Sequence, residues 1–535
     1  MTQLEPDSAD DARLRQPGIP QEPAAADLTG RQQVTADELP GAVKVLLDNG
    51  FRPALVAAHQ QPDSFRVEYA FLAAGSRRAQ LSLTVPAADP RVPSLAGLSF
   101  PLGRFEREMR DLYGIVPDGH PLPHRLVRHQ HWPRGWYPMR SDLPVPVALP
   151  ENGEPFPFTR VEGQGVYEIP VGPIHAGLIE PGHFRFSVVG ETILRAKARL
   201  WFLHKGIEKL FEGRTPVDGL ALAERISGDT SVGHAWAYLA AVEEALGIDP
   251  GEPALLLRAV LLELERLYNH VTDLGALAND VGHGVLAVQA AGVREQLLRL
   301  NEEVTGSRLL RGALFLGGTG VRALPGPDRL SGIGAEIAEL AELALEHTVV
   351  RDRFTGTGVL APQAARDLGV LGYVARACGL EGDARLDHPA VDLAGALRPV
   401  RHDGGDVLAR FCVRRDECAA SIDLLTDLLT RLGGTTSGGN PSAATGSAAT
   451  ASGETDSGAT DSGVPRAGLG VIEGWRGTIV HRVELAADGT LGRVKVVDPS
   501  FFTWPALPLA LGDTIVPDFP LTNKSFNLSY AGNDL

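Results

Sequence analysis

ERISGDTSVGHAWAYLAAVEEALGI (residues 224–248) and ELERLYNHVTDLGALANDVG (residues 263–282) repeat apolar residues every three or four positions, the pattern of amphipathic helices. Gly247 stands just past the first run, where a left-handed C-cap suits glycine. Working outward, the same period covers about 231–246, 252–279, 284–305, 328–353 and 406–432, with Gly433 as a second expected helix stop. Upstream, FRPALVAAHQ (51–60), FRVEYAFLAA (65–74) and RAQLSLTVPA (78–87) read as strands or short amphipathic pieces. VYEIPV (166–171), FRFSVVGE (184–191) and TILRAKARLWF (192–202) are also strand-like, and TIVHRVELAADGTLGRVKVVDPS (478–500) reads as a hairpin turning at Asp488–Gly489. The fold class is α+β: a small N-terminal α/β domain joined to a mainly helical large domain.

Composition draws the boundaries. The chain has 535 residues, 44% hydrophobic and 22% charged, enough for two large domains or several smaller ones. No apolar run approaches the roughly 20 residues that cross a bilayer. Residues 1–35 are expected to be a disordered tail, 36–141 the small domain, 142–157 a linker with prolines at 144, 146, 150, 155 and 157, and 158–535 the large domain. Within the last, 433–465 is too poor in apolar groups to offset its ordering entropy and is expected to be a flexible insertion.

A formal net charge of −16 opposes nucleic acid as a partner. Cys378, Cys412 and Cys418 form no CxxC pair, so neither a disulfide framework nor a cysteine-held iron–sulfur cluster is expected, and the few thiols suit a reducing cytoplasm. The glycines of Gly468–Gly474 are misspaced for a dinucleotide loop and lead into a strand, so NAD is not expected to bind this chain. Phe105–Pro133 crowds His120, His124, His129 and His131 beside Glu106, Glu108 and Asp111, but prolines interrupt any regular ligand spacing. Helix capping and contact with a partner protein are the preferred reading there, with no metal site. The run RHQHWPRGWYPMR (128–140) reads as a segment packing on a partner.

E-R-E-x-x-D-L-Y-G-I from Glu106, followed by G-H-P-L-P-H-R, resembles the signature of the 30-kDa-type subunit of respiratory complex I. GPIHAGLIEPGHFRF (172–186), FLHKGIEKLFEGR (202–214), the two helical stretches quoted first and VKVVDPSFFTWPAL (494–507) resemble the 49-kDa-type subunit of complex I and the large subunit of group-4 membrane-bound nickel–iron hydrogenases. The resemblance implies the large-subunit fold shared by those two families. It also implies partners: a cluster-carrying small subunit, a ferredoxin-like subunit and membrane antiporter-like subunits, with the chain peripheral on the inner face of the cell membrane. Iron–sulfur clusters would belong to the partners, NAD, if used, would be handled elsewhere in the complex, and a quinone-type acceptor is the implied substrate.

The hydrogenase resemblance puts its four nickel-ligand positions on Ser227 and Thr230 in the first pair and Ser500 and Thr503 in the second. Soft thiolates hold nickel; hydroxyls are hard and stay protonated near neutral pH, so hydrogen activation is not expected. These four are expected to cluster although the outermost stand 276 residues apart. A quinone also needs protons, and the candidate donors are His175 on the Gly172–His183 hairpin, Glu208, Asp229 and His234. The tyrosine that complex I places beside the quinone falls here on Gly228. Redox chemistry is distinguished from a scaffold role by whether Glu208 and Asp229 converge unpaired in an apolar cavity, which would cost several kcal/mol.

Overall fold

A computed structural model of the chain describes residues 29–146, 148, 156–176, 179–393, 395–435 and 466–535. Strands β1 (Gly30–Gln33), β2 (Arg52–Gln60), β3 (Ser64–Ala73) and β4 (Arg77–Pro86) form one sheet in the order β1-β4-β3-β2. β1 runs parallel to β4, whereas the β2–β3 and β3–β4 pairs are antiparallel. Residues 30–33, at the end of the expected tail 1–35, are therefore a strand, and residues 1–28 lie outside the described residues. Residues 30–33 join the sheet through backbone pairing while staying exposed, so their composition carried no sign of it. Helices α1 (Leu39–Asp48) and α2 (Phe100–Tyr113) contribute Leu39, Val43, Leu46, Phe105 and Met109 to the core of this sheet.

The large domain begins with an antiparallel sheet of β5 (Val166–Val171), β6 (His183–Val189) and β7 (Thr192–Arg199). Helices α3 (Ile207–Phe211), α4 (Ser231–Leu246), α5 (Glu252–Asp280), α6 (Gly284–Thr305), α7 (Pro327–Glu346), α8 (Thr348–Phe354) and α9 (Val407–Thr435) follow. Gly247 caps α4 in the left-handed region at φ 69°, as its position suggests. The single helix expected over 328–353 is two, because His347 is extended (φ −72°, ψ 112°) just before the β-branched pair Val349–Val350. Gly433 does not end its helix: α9 runs on to Thr435, anchored by buried Leu428 and Leu432. The rest of the insertion expected over 433–465, from 436 onward, lies outside the described residues.

A final sheet of β8 (Ala467–Gly474), β9 (Gly477–Leu485) and β10 (Leu491–Val497) precedes helices α10 (Pro499–Thr503) and α11 (Tyr530–Asp534). The structure gives the glycines of β8 a purpose. A Cβ on Gly468 would stand 2.0 Å from the Ala241 carbonyl oxygen, and one on Gly470 1.9 Å from that of Ala237. Strand and helix α4 thus meet backbone to backbone, which only glycine permits.

The small N-terminal unit sits directly on this sheet. Phe105 of α2 stacks on Phe501 of α10 with ring centroids 4.6 Å apart, and Arg66 of β3 donates to Glu484 of β9 at 2.6 Å. One buried cluster runs from Leu39 to Tyr530 across both parts, and a second fills the space among α4 to α9. Among the described residues no helix is long and apolar enough to cross a membrane.

In the histidine-rich segment, Asp111 accepts from the backbone N–H groups of Leu126 and Val127, Glu106 accepts from Ser94, and His120 and His129 bond the Gly103 and Leu200 carbonyls. These groups fasten the segment to its own fold. Among the described residues no three His, Cys, Asp or Glu side chains gather in a way that could hold a metal ion.

Candidate functional site

Asp229 lies in the turn before α4, and both neighbouring hydroxyls point at it. Ser227 Oγ and Thr230 Oγ1 each donate to its Oδ1 at 3.0 Å. Arg476, in the turn joining β8 to β9, forks onto the same carboxylate at 2.6 and 2.8 Å and donates to the Asn527 carbonyl at 2.6 Å. Trp475, beneath that guanidinium at 3.9 Å, donates its indole N–H to Thr230 and to the Asp229 carbonyl, both at 3.1 Å. Partial burial raises the Asp229 pKa, but the Arg476 charge outweighs it and holds it at about 2. At neutral pH Asp229 is therefore an acceptor that orients its neighbours; it does not supply protons as expected. Its side chain keeps 38% of its surface exposed.

Ser500 and Thr503 reach the site on α10. Ser500 Oγ accepts from the backbone N–H of Ser529 at 3.0 Å, and Ser529 Oγ lies 2.9 Å from Ser227 Oγ. Ser227 has given its proton to Asp229, so Ser529 is the donor in that pair. Three of the four expected hydroxyls are thus tied into one network. Thr503, one turn beyond Ser500, instead donates to the Pro499 carbonyl at 3.1 Å.

His234 is fully buried, with no direct hydrogen bond to these hydroxyls. Its Nε2 is 3.0 Å from Asp498 Oδ2 and its Nδ1 is 3.0 Å from His481 Nε2. Asp498 is held below the usual carboxylate range, the His234 hydrogen bond and the Arg476 charge outweighing burial, and its other oxygen accepts from the Ser500 N–H at 2.7 Å. His481 Nδ1 is buried and has no hydrogen-bond partner among the described residues. Burial holds His481 neutral.

Glu208 is buried, accepts from Arg493 at 2.7 Å and from the Val496 N–H at 3.1 Å, and pairs with Lys495 at 3.0 Å. Lys495 also donates to Glu108 of α2 at 2.7 Å, so this ion chain crosses the seam between the two domains. Glu208 does not converge with Asp229. It lines a largely apolar cavity of about 380 Å³ walled by Trp132, Trp136 and Trp201, whose lining includes neither Asp229 nor His234. Each carboxylate has its own cation, so the unpaired, apolar juxtaposition that would favour redox chemistry over a scaffold does not occur. His175 donates to or accepts from nothing in the cluster; its Nε2 is 2.8 Å from the Gly182 carbonyl across its hairpin.

The sequence reading passed over several participants. Arg476 and Trp475 follow glycines discarded as a poor nucleotide loop, Ser529 carried no signal, and Glu265 stood unremarked in the α5 repeat. Glu265 accepts from the Val232 and Gly233 N–H groups at the start of α4, at 2.7 and 3.0 Å, yet burial pushes its pKa up to about 8. A carboxyl raised in this way stabilises the fold fully below its unfolded pKa near 4.5, and the contribution is lost as pH rises through about 8. Urea unfolding of wild type and Glu265→Gln between pH 5 and 8 should show the wild type losing stability more steeply, by up to about 1.4 kcal/mol per pH unit. Parallel profiles would contradict this.

A nickel–iron centre does not fit the residues present. It needs soft thiolates, and here Ser227 and Thr230 give their protons to Asp229 while Thr503 gives its proton to Pro499.

Residues 32–147 match the family described as respiratory-chain NADH dehydrogenase, 30 Kd subunit; residues 280–534 match its 49 Kd subunit; and 205–279 match nickel-dependent hydrogenase. Formate hydrogenlyase subunit 5 of Escherichia coli is 32% identical over 464 residues, 84% of this chain and 76% of that protein. The C/D subunit of NADH-quinone oxidoreductase from Phocaeicola vulgatus is 28% identical over 64% of this chain and 70% of its own length. Among solved structures, a chain of the membrane-bound sulfane sulfur reductase, an archaeal respiratory membrane complex, superposes with TM-score 0.57 at 26% identity, covering 70% of this chain and 99% of its own. The protein is a fused 30-kDa-type and 49-kDa-type oxidoreductase subunit. It belongs to the family that joins the fused C/D subunits of NADH-quinone oxidoreductase to formate hydrogenlyase subunit 5 and hydrogenase-4 component G.

Proposed function

We propose that this chain forms the acceptor side of a membrane-associated, complex I-like oxidoreductase, and that the cluster around Asp229 faces a cluster-carrying partner subunit. The observation that carries this reading is the convergence of Ser227, Thr230 and Ser500, from distant segments, on one network with Arg476 and a part-exposed carboxylate. The acceptor is a quinone-type molecule bound beside this polar floor. On this reading its protons are assigned to His175 and to the Asp498–His234–His481 chain. Iron–sulfur clusters belong to the small and ferredoxin-like partners, antiporter-like subunits anchor the assembly on the inner membrane face, and NAD, if used, reacts elsewhere in it.

A scaffold role is the second reading, favoured by the separate pairing of Asp229 and Glu208 with their own cations. The test is spectroscopy of the clusters in the intact complex, purified through this chain, with menaquinone or ubiquinone analogues added. Reoxidation that slows in His175→Ala supports the acceptor reading, and clusters that ignore quinone support the scaffold. Nickel in stoichiometric amount would overturn both.

A further inference from the structure

A polar cleft of about 710 Å³ opens where the N-terminal sheet meets the β9–β10 hairpin, with His59, Arg66, Lys209, Arg466, Glu484 and Arg493 among its walls. We propose that it is a binding site for a small phosphorylated molecule, recognised through a diphosphate unit.

The argument starts from charge. Arg493 is neutralised by Glu208 at 2.7 Å, and Lys209 by Glu212, also on the cleft, at 2.5 Å. At the cleft wall and behind it, however, three arginines share two carboxylates. Arg31 and Arg66 pair with Glu68, Arg66 pairs again with Glu484, and Arg482 reaches Glu484 at 3.2 Å and Glu68 at 3.8 Å. One positive charge remains there. A second belongs to Arg466, exposed at the rim, whose side chain has no ion-pair or hydrogen-bond partner among the described residues. A double positive surplus at and just behind a concavity, in a chain of net charge −16, is a local field that a compact anion would relieve.

The donors point the right way. His59 Nε2 accepts from Arg482 at 3.0 Å, so its proton sits on Nδ1. Glu484 Oε2 is 3.6 Å from that nitrogen, beyond hydrogen-bond reach, so the N–H has no acceptor among the described residues, and His59 lines the cleft. Burial, then the charges of Arg482, Arg66, Arg493 and Arg31, hold this ring neutral, an independent sign of the positive potential. The Tyr113 hydroxyl, also on the cleft wall, has no hydrogen-bond partner among the described residues. Guanidinium forks match phosphate oxygens two at a time, and the space exceeds a single phosphate, so a diphosphate with an organic remainder suits it. The carboxylates of Glu484 and Glu212 face the same space and repel an anion, which confines the phosphates to the Arg466 side. His59 and Arg66 come from the small domain and Arg466 from the large one, so the ligand would clamp the seam.

Titrating the purified intact complex calorimetrically with inorganic pyrophosphate at low salt, and in parallel with ADP, tests this. Saturable binding of either, one per chain, is expected to weaken by about tenfold or more in Arg466→Glu while Arg466→Lys keeps most of it. Pyrophosphate is also expected to raise the unfolding temperature of wild type and not of Arg466→Glu. Arg466 is exposed, so these variants keep the fold. Absence of saturable heat with both probes at millimolar concentration, or equal binding by wild type and Arg466→Glu, would overturn the proposal.

Discussion

Replacing Glu208 with alanine is expected to destabilise the protein by about 3–5 kcal/mol, the cost of breaking a buried ion pair from one side. The carboxylate is the hub of a chain from Arg493 through Lys495 to Glu108, and it also satisfies the Val496 N–H. Burial opposes ionisation, but Arg493 and Lys495 prevail and hold Glu208 below the usual carboxylate range. Its removal leaves Arg493 without its anion and Lys495 with Glu108 alone, a carboxyl whose own pKa is raised, first by burial. Because the folded pKa is depressed, the Glu208 contribution is present above the unfolded pKa near 4.5 and is lost as pH falls through the folded value. Urea unfolding at pH 7 and pH 4 should show a smaller gap between wild type and Glu208→Ala at the lower pH. A loss below about 1 kcal/mol at pH 7, the worth of a surface pair, would contradict the buried network.

The second large effect concerns Arg476. If the cluster around Asp229 receives the acceptor, Arg476→Ala should slow quinone-dependent cluster reoxidation in the intact complex by about 10²–10³-fold, the range for losing one preorganised donor. Arg476→Lys should recover little of this, since an ammonium cannot reproduce the two parallel bonds to Asp229. A folded Arg476→Ala complex with wild-type reoxidation would remove the acceptor reading and leave the scaffold. Stopped-flow spectroscopy after quinone addition gives the rate, and circular dichroism checks the fold.

Much of the fold was legible because it is written in local periods. The 3.6-residue repeat located α4 and α6 to the residue, and alternation located β2 to β4 within one residue at each end. The failures were also local in origin. His347 breaks an otherwise continuous apolar repeat, and Gly433 lies inside a helix because Leu428 and Leu432 are buried around it. The site was legible in part: the hydroxyls in two distant segments were expected together, and Ser227, Thr230 and Ser500 are connected. Ser529, which completes that connection, stands 302 residues from Ser227 and has no local signature.

The sequence by itself determined the fold class, the helices of the large domain, and a donor set at Ser227, Thr230, Ser500 and Thr503 that is hard where nickel needs thiolate. The fold class and helices follow from periodicity; the four positions come from the resemblance to the hydrogenase large subunit, and their hardness from hydroxyl chemistry. Only the tertiary structure decided which charges meet. Glu208 could have been a solvated helix residue beside Lys205 and Lys209, and became a buried hub because Arg493, 285 residues away, is delivered to it by β10. Asp229 changed from a proton donor to an ionised anchor for the same reason: a carboxylate's protonation depends on the cation beside it, and Arg476 is 247 residues distant in the chain.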